Sequence, residues 1–157
     1  VAEAIGEKIA RAVGGLAEHG LAVNVEGKGE GRVYRIRGKG CRLTVEVGRR
    51  GLSLGFTLDR QEASPELTYH VDTDLYDISD QKQQWFAVEI EDEIASFLGA
   101  LEGGQVRVSR RPGKAVIVFP RGGGYARVER GRILTSEKHY ERLEDAERGD
   151  SFLPLLA

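Results

Sequence analysis

Three consecutive glycines, Gly122 to Gly124, lie between Arg121 and Tyr125 in the stretch FPRGGGYARVERGR (119–132). A glycine-rich turn is the first place to look for chemistry, because it can aim backbone N–H groups at a phosphate, usually where it opens a helix. Here Tyr125, Ala126, Arg127, Val128 and Glu129 follow with period-two alternation, and no Gly-Lys-Ser/Thr appears. The glycines therefore read as a hairpin bend between two strands, supplying positive φ.

The segment YHVDTDLYDISD (69–80) offers His70, Asp72, Asp74, Asp77 and Asp80 as oxygen and nitrogen donors. His70, Asp72 and Asp74 would share a strand face, the geometry for a small metal site, yet the central glycine and terminal glutamate of a calcium loop are missing. Asp77 and Ser79 suit a turn, and Ser79 or Asp80 suits a helix cap. Glu89, Glu91, Asp92 and Glu93 crowd a helical stretch, three of them (Glu89, Asp92 and Glu93) on one face, where acid–base work would need a pocket that shifts their pKa values. A solvated face is the plainer reading. Cys41 stands alone beside Gly40, the histidines (His19, His70, His139) are scattered, and no G-x-S-x-G is present. Cys41 reads as a small hydrophobe. The residues thus point to a non-enzymatic protein, with no metal and no cofactor.

Arginine carries the stronger signal. Arg32, Arg35, Arg37, Arg42, Arg49 and Arg50, with Lys28 and Lys39, dominate 27–50, and Arg107, Arg110, Arg111, Arg121, Arg127, Arg130 and Arg132, with Lys114, dominate 105–132. Between 59 and 102 the balance reverses, with acids against only Arg60 and Lys82. If both strand groups share one sheet, its polar face is arginine-rich, and the planar guanidinium reads carboxylate and phosphate alike. Arg35, Arg37, Arg42, Arg107, Arg110, Arg121 and Arg127 are the candidate partner-binding residues. The expected partner is an acidic protein or a second copy; nucleic acid is the alternative, weakened by the scarcity of interleaved aromatics for base stacking. Solvated arginines that protect a sheet against edge pairing are the bland reading.

The elements that must position these residues follow from periodicity. Ile5, Ile9, Val13 and Leu16 predict an amphipathic first helix ending near Gly20. Residues 21–26, 32–37, 41–48 and 52–59 alternate apolar and polar side chains, joined by short glycine-bearing turns, which predicts an antiparallel meander. TYHVD (68–72) is a candidate fifth strand. Trp85, Phe86, Ile90, Ile94, Phe97, Leu98 and Leu101 trace a wide apolar stripe through 80–102, the clearest helix in the chain. Residues 105–110 and 115–119 form a further hairpin, 125–133 one more strand, and about 136–148 a charged helix before the tail FLPLL (152–156).

The expectation is an α+β fold over 1–157 as one domain: one antiparallel sheet of about 6–8 strands packed on helices, in the order α, four or five strands, α, two or three strands, α. The chain has 157 residues, net charge −2 and a lone cysteine, which suit a cytoplasmic protein and argue against indiscriminate polyanion binding. No apolar run reaches the roughly 18 residues of a membrane span. The element order resembles that of small α+β chaperones and immunity-type proteins, and the stretches CRLTVEVGRRGLSLGF, LTYHVD and VEIEDEIASFLGALEGG are loosely similar to bacterial toxin-immunity proteins. That resemblance implies a protein-binding adaptor without catalytic residues.

Overall fold

The computed structural model describes residues 5–29, 31–74 and 80–156. Helix α1 (Glu7–Glu18) buries Ile9, Val13 and Leu16, one face at helical spacing. Five strands follow: β1 (Ala22–Lys28), β2 (Gly31–Gly38), β3 (Cys41–Val47), β4 (Gly51–Leu58) and β5 (Leu67–Asp74). They pair antiparallel in chain order as sheet 1, the meander that the alternation predicts. In β4, Leu52, Leu54, Phe56 and Leu58 are buried while Ser53, Gly55 and Thr57 face outward.

Helix α2 (Gln81–Glu102) begins at Asp80, whose Oδ1 accepts the Lys82 backbone N–H at 2.9 Å. Its inner face packs against α1, β4, β5 and, beyond them, β7 (Lys114–Arg121). That last contact shows where the chain goes next. β6 (Arg107–Arg111), β7, β8 (Gly124–Arg130) and β9 (Thr135–Tyr140) form a second antiparallel sheet. Short helix α3 (Leu143–Ala146) leads to β10 (Leu153–Pro154), which pairs with β6 and completes the order β10-β6-β7-β8-β9.

The α+β class and the antiparallel pairing agree with the sequence, but there are two five-stranded sheets, ten strands, in place of one sheet of six to eight. The reason is visible in β7. Ala115, Ile117 and Phe119 enter the main core, while Val116 and Val118 are buried on the opposite face with Ala146 and Phe152. A strand apolar on both faces needs cover on both sides. It has no place in a sheet whose other face is polar.

The charged helix expected over 136–148 is also absent as such. Residues 135–140 instead continue the ladder beside β8, with Arg130 opposite Thr135 and Tyr125 opposite Tyr140, and only Leu143–Ala146 is helical. A turn at 131–134, closed by the Gly131 N–H to Leu134 carbonyl bond at 2.9 Å, ends β8 before Ile133. Backbone pairing to an available edge outweighs a weak local preference.

Both sheets share one apolar cluster. At its centre Phe97 of α2 meets Phe56 of β4, Tyr69 of β5 and Phe119 of β7, with ring centroids 5.0–5.2 Å apart. The Phe56 and Phe119 contacts are edge-to-face and the Tyr69 contact is tilted, and aromatic pairs of this kind add about 0.5–1.5 kcal/mol each beyond area burial.

Candidate functional site

Period-two geometry sends the polar residues of sheet 1 to the side away from α1 and α2. Cross-strand register sets them in rows: Asn24–Arg35–Thr44–Gly55–His70, and beside it Ala22–Arg37–Arg42–Thr57–Thr68. Along β4 the face carries the small residues Ser53, Gly55 and Thr57. It holds no Phe, Tyr or Trp among the described residues.

Arg37 and Arg42 stand directly opposite each other across β2 and β3. Like charges so placed repel. Asp59 Oδ1, 2.7 Å from Arg42, and Glu66, at 3.4 Å, draw one guanidinium aside, and Glu26 holds Arg35 at 2.7 Å. All three pairs are half-exposed, so each contributes only about 0–1 kcal/mol. Arg37 is exposed and has no ion pair among the described residues. Between these arginines lies a shallow depression of about 390 Å³, bordered by Ala22, Asn24 and Thr44. An anionic group placed there would relieve the Arg37–Arg42 repulsion.

The other four candidate arginines sit on sheet 2; Arg107, Arg121 and Arg127 are bonded within the fold, and Arg110 is turned inward. Arg107 Nε donates to Glu147 at 2.5 Å and its Nη2 to the Phe152 carbonyl at 3.3 Å. Arg110 points inward toward Cys41 and Asp59; its Nε is buried without a hydrogen-bond partner, and desolvation lowers its pKa. Arg121 bonds Glu137 and Tyr69; burial opposes its charge, but those two bonds outweigh it and raise its pKa.

Arg127 is the most enclosed. Its side chain, 10% exposed, bonds Glu129 at 2.8 Å, Asp150 at 2.5 Å and the Ala146 carbonyl at 2.9 Å, and stacks over Phe152 at 5.8 Å. Lys114 completes the cluster, 3.2 Å from Glu129 and 3.1 Å from Asp150. Burial alone would raise the Asp150 pKa, but hydrogen bonds from Arg127 and Lys114 prevail and hold it below the usual carboxylate range. This cluster fastens residues 143–153 onto the outer face of sheet 2.

The seven arginines therefore do not form one face. Only Arg35, Arg37 and Arg42 share an open surface. Counting charge over 105–132 alone missed the neutralising acids Glu137, Glu147 and Asp150, which lie later in the chain and fold back. Asn24 and Thr44, beside the depression, are legible from the alternation that places Arg35.

The remaining sequence candidates resolve individually. Gly122 and Gly123 have φ 59° and 81° and form the two-residue turn of the β7–β8 hairpin. Two successive positive φ values are the geometry that matches strand twist. Glu91 is buried, and its carboxylate accepts the Gly6 N–H. His70 and Asp72 are exposed on the open face of sheet 1; the Asp74 side chain and Asp77 lie outside the described residues, among which no three His, Cys, Asp or Glu cluster to hold a metal. Cys41 is fully buried, and desolvation, then the Asp59 charge, pushes its thiol up to about 11. No described helix is long and apolar enough to cross a membrane. Compared with known proteins, the chain matches no family description, no curated relative and no solved structure.

Proposed function

We propose that this chain is a non-enzymatic protein-binding module, an immunity- or chaperone-like adaptor, that receives an acidic segment of its partner on the open face of sheet 1. The observation that carries this reading is Arg37 set opposite Arg42 on the polar face of sheet 1, beside the small residues of β4. Among the described residues Arg37 has no hydrogen-bond or ion-pair partner, and a partner carboxylate bridging the two guanidiniums would turn a repulsion into charge-assisted hydrogen bonds. Arg35, Arg37 and Arg42 bind; Asn24 and Thr44 supply hydrogen bonds. Arg107, Arg121 and Arg127 serve the fold through their bonds to Glu147, Glu137 and Asp150.

The test uses a labelled glutamate-rich peptide and labelled single- and double-stranded oligonucleotides, followed by anisotropy across a salt series. The peptide is expected to bind, and Arg37→Glu with Arg42→Glu to weaken it at least tenfold in a protein that stays folded. Oligonucleotide binding tighter than peptide binding, with a steep salt slope, would transfer the face to nucleic acid. Flat traces for both probes would remove the basic-face reading.

A further inference from the structure

Two exposed apolar features, on α2 and on the turn after β8, complement each other. The first is the N-terminal half of α2, where Trp85 is 69%, Phe86 52% and Val88 40% exposed. The sequence assigns Trp85 and Phe86 to the buried stripe, but α2 enters the core only at Ala87, and its first turns stand clear of it. Phe86, Ile90, Glu93 and Phe97 follow one another along a single helix line. That line leads from the exposed aromatics to a cleft of about 390 Å³ lined by Tyr69, Phe97, Phe119 and Pro120. Glu89, Asp92 and Glu93 border this surface; Asp92 pairs with Lys8 at 2.6 Å, and the Tyr69 hydroxyl lies 3.4 Å from Glu93. The surface is aromatic, with acids along its α2 side and Arg121 at the far end of the cleft.

The second feature is the β8–β9 turn, Gly131-Arg132-Ile133-Leu134. Ile133 is 81% and Leu134 76% exposed, and arginines flank them. Arg130 Nη1 bonds the Ile133 carbonyl at 3.1 Å and holds the turn in shape. The turn is a small apolar knob with a basic collar. Two such side chains at a hairpin tip have no packing role in their own chain.

The knob does not cover its own α2, because Trp85, Phe86, Ile133 and Leu134 are all exposed. The cleft ends at Arg121 and Gly122, where β8 begins, and the knob follows the far end of β8, about 20 Å along the strand at roughly 3.3 Å per residue. We propose that the Trp85–Phe86 surface of α2 binds the Ile133–Leu134 knob of a second copy of this chain, with the Arg132 collar meeting the Glu89–Glu93 rim. Exposed apolar surface rimmed by polar residues marks interaction sites, and tryptophan is among the residues enriched as anchors. Each copy carries both halves of the contact. A two-fold arrangement uses the contact twice and closes; repetition without closure would give open chains. The surface is separate from the arginine face, which lies on the other side of sheet 1 from α2.

Trp85 is the sole tryptophan, so its emission reports on this contact alone. Sedimentation velocity and Trp85 emission are measured together from micromolar to millimolar protein. The expected result is concentration-dependent association with a matching blue shift, both weakened by salt. Ile133→Ser with Leu134→Ser is expected to abolish both changes without moving the melting temperature, because these side chains are exposed. Phe86→Ala with Glu89→Arg is expected to do the same from the other side. Mixing the two variants, each monomeric alone, restores a complex, since one retains the helix surface and the other the knob. A monomer at every concentration, or association that survives the knob substitutions, or failure of the mixed variants to pair would each overturn the proposal. None of these substitutions touches Arg35, Arg37 or Arg42, so the two surfaces stand or fall separately.

Discussion

Replacing Asp150 should unlock the carboxy-terminal segment. Its carboxylate is 2% exposed and neutralises Arg127 at 2.5 Å and Lys114 at 3.1 Å, beneath a side chain, Phe152, that seals Val116 and Val118. Removing one partner of a buried pair leaves an uncompensated charge and typically costs about 3–5 kcal/mol. Glu129 remains 2.8 Å from Arg127 and 3.2 Å from Lys114, so Asp150→Ala belongs at the lower end, about 3 kcal/mol. For a domain of this length that is a fall of roughly 6–12 °C in melting temperature. Urea unfolding of the native chain and the variant measures it directly.

The pH dependence gives a second readout. The folded pKa values of Asp150 and Glu129 lie below ordinary, so their stabilisation is present above the unfolded values and lost as pH falls through the folded ones. The gap between native and Asp150→Ala should therefore be full at pH 7 and narrow progressively below about pH 4. The double variant Arg127→Met, Asp150→Leu should recover part of the loss, because it removes both charges and leaves the Lys114–Glu129 pair in place. A loss under about 1 kcal/mol at pH 7, or a gap that does not close in acid, would refute the lock, since an exposed pair behaves that way.

Three further outcomes are expected. Phe97→Ala removes the ring that meets Phe56, Tyr69 and Phe119, and should cost about 3–5 kcal/mol by chemical denaturation, lowering the stability of both sheets together. Gly123→Ala places a side chain at φ 81° with no steric neighbour within 4 Å, so its cost, about 1–2 kcal/mol, is conformational, whereas Gly122→Asn at φ 59° should be nearly neutral in the same melt. Cys41, with its thiol pushed up to about 11, should resist Ellman's reagent at pH 8 until denaturant is added; rapid labelling of the native protein would contradict its burial.

Local pattern by itself determined the meander and its two faces. Alternation in 41–47 and 51–58 puts Leu43, Val45, Leu54 and Phe56 inward and Arg42, Thr44 and Thr57 outward, because successive strand side chains point to opposite sides. Gly122–Gly123 announced its hairpin for an equally local reason: positive φ is cheap only for glycine. The face carrying Arg35, Arg37 and Arg42 was thus legible before any tertiary contact. What tertiary structure alone decided was which surfaces share an environment. Whether two strand groups join or stack depends on edges far apart in sequence, and AVIVF (115–119), apolar on both faces, already conflicted with a common polar side. Arg107 and Arg127 look free in a local charge count, yet Glu147 and Asp150, 40 and 23 residues on, return to neutralise them. Trp85 and Phe86 fit the helical period and remain outside, because periodicity defines a stripe and only packing defines where along the helix the stripe meets a core.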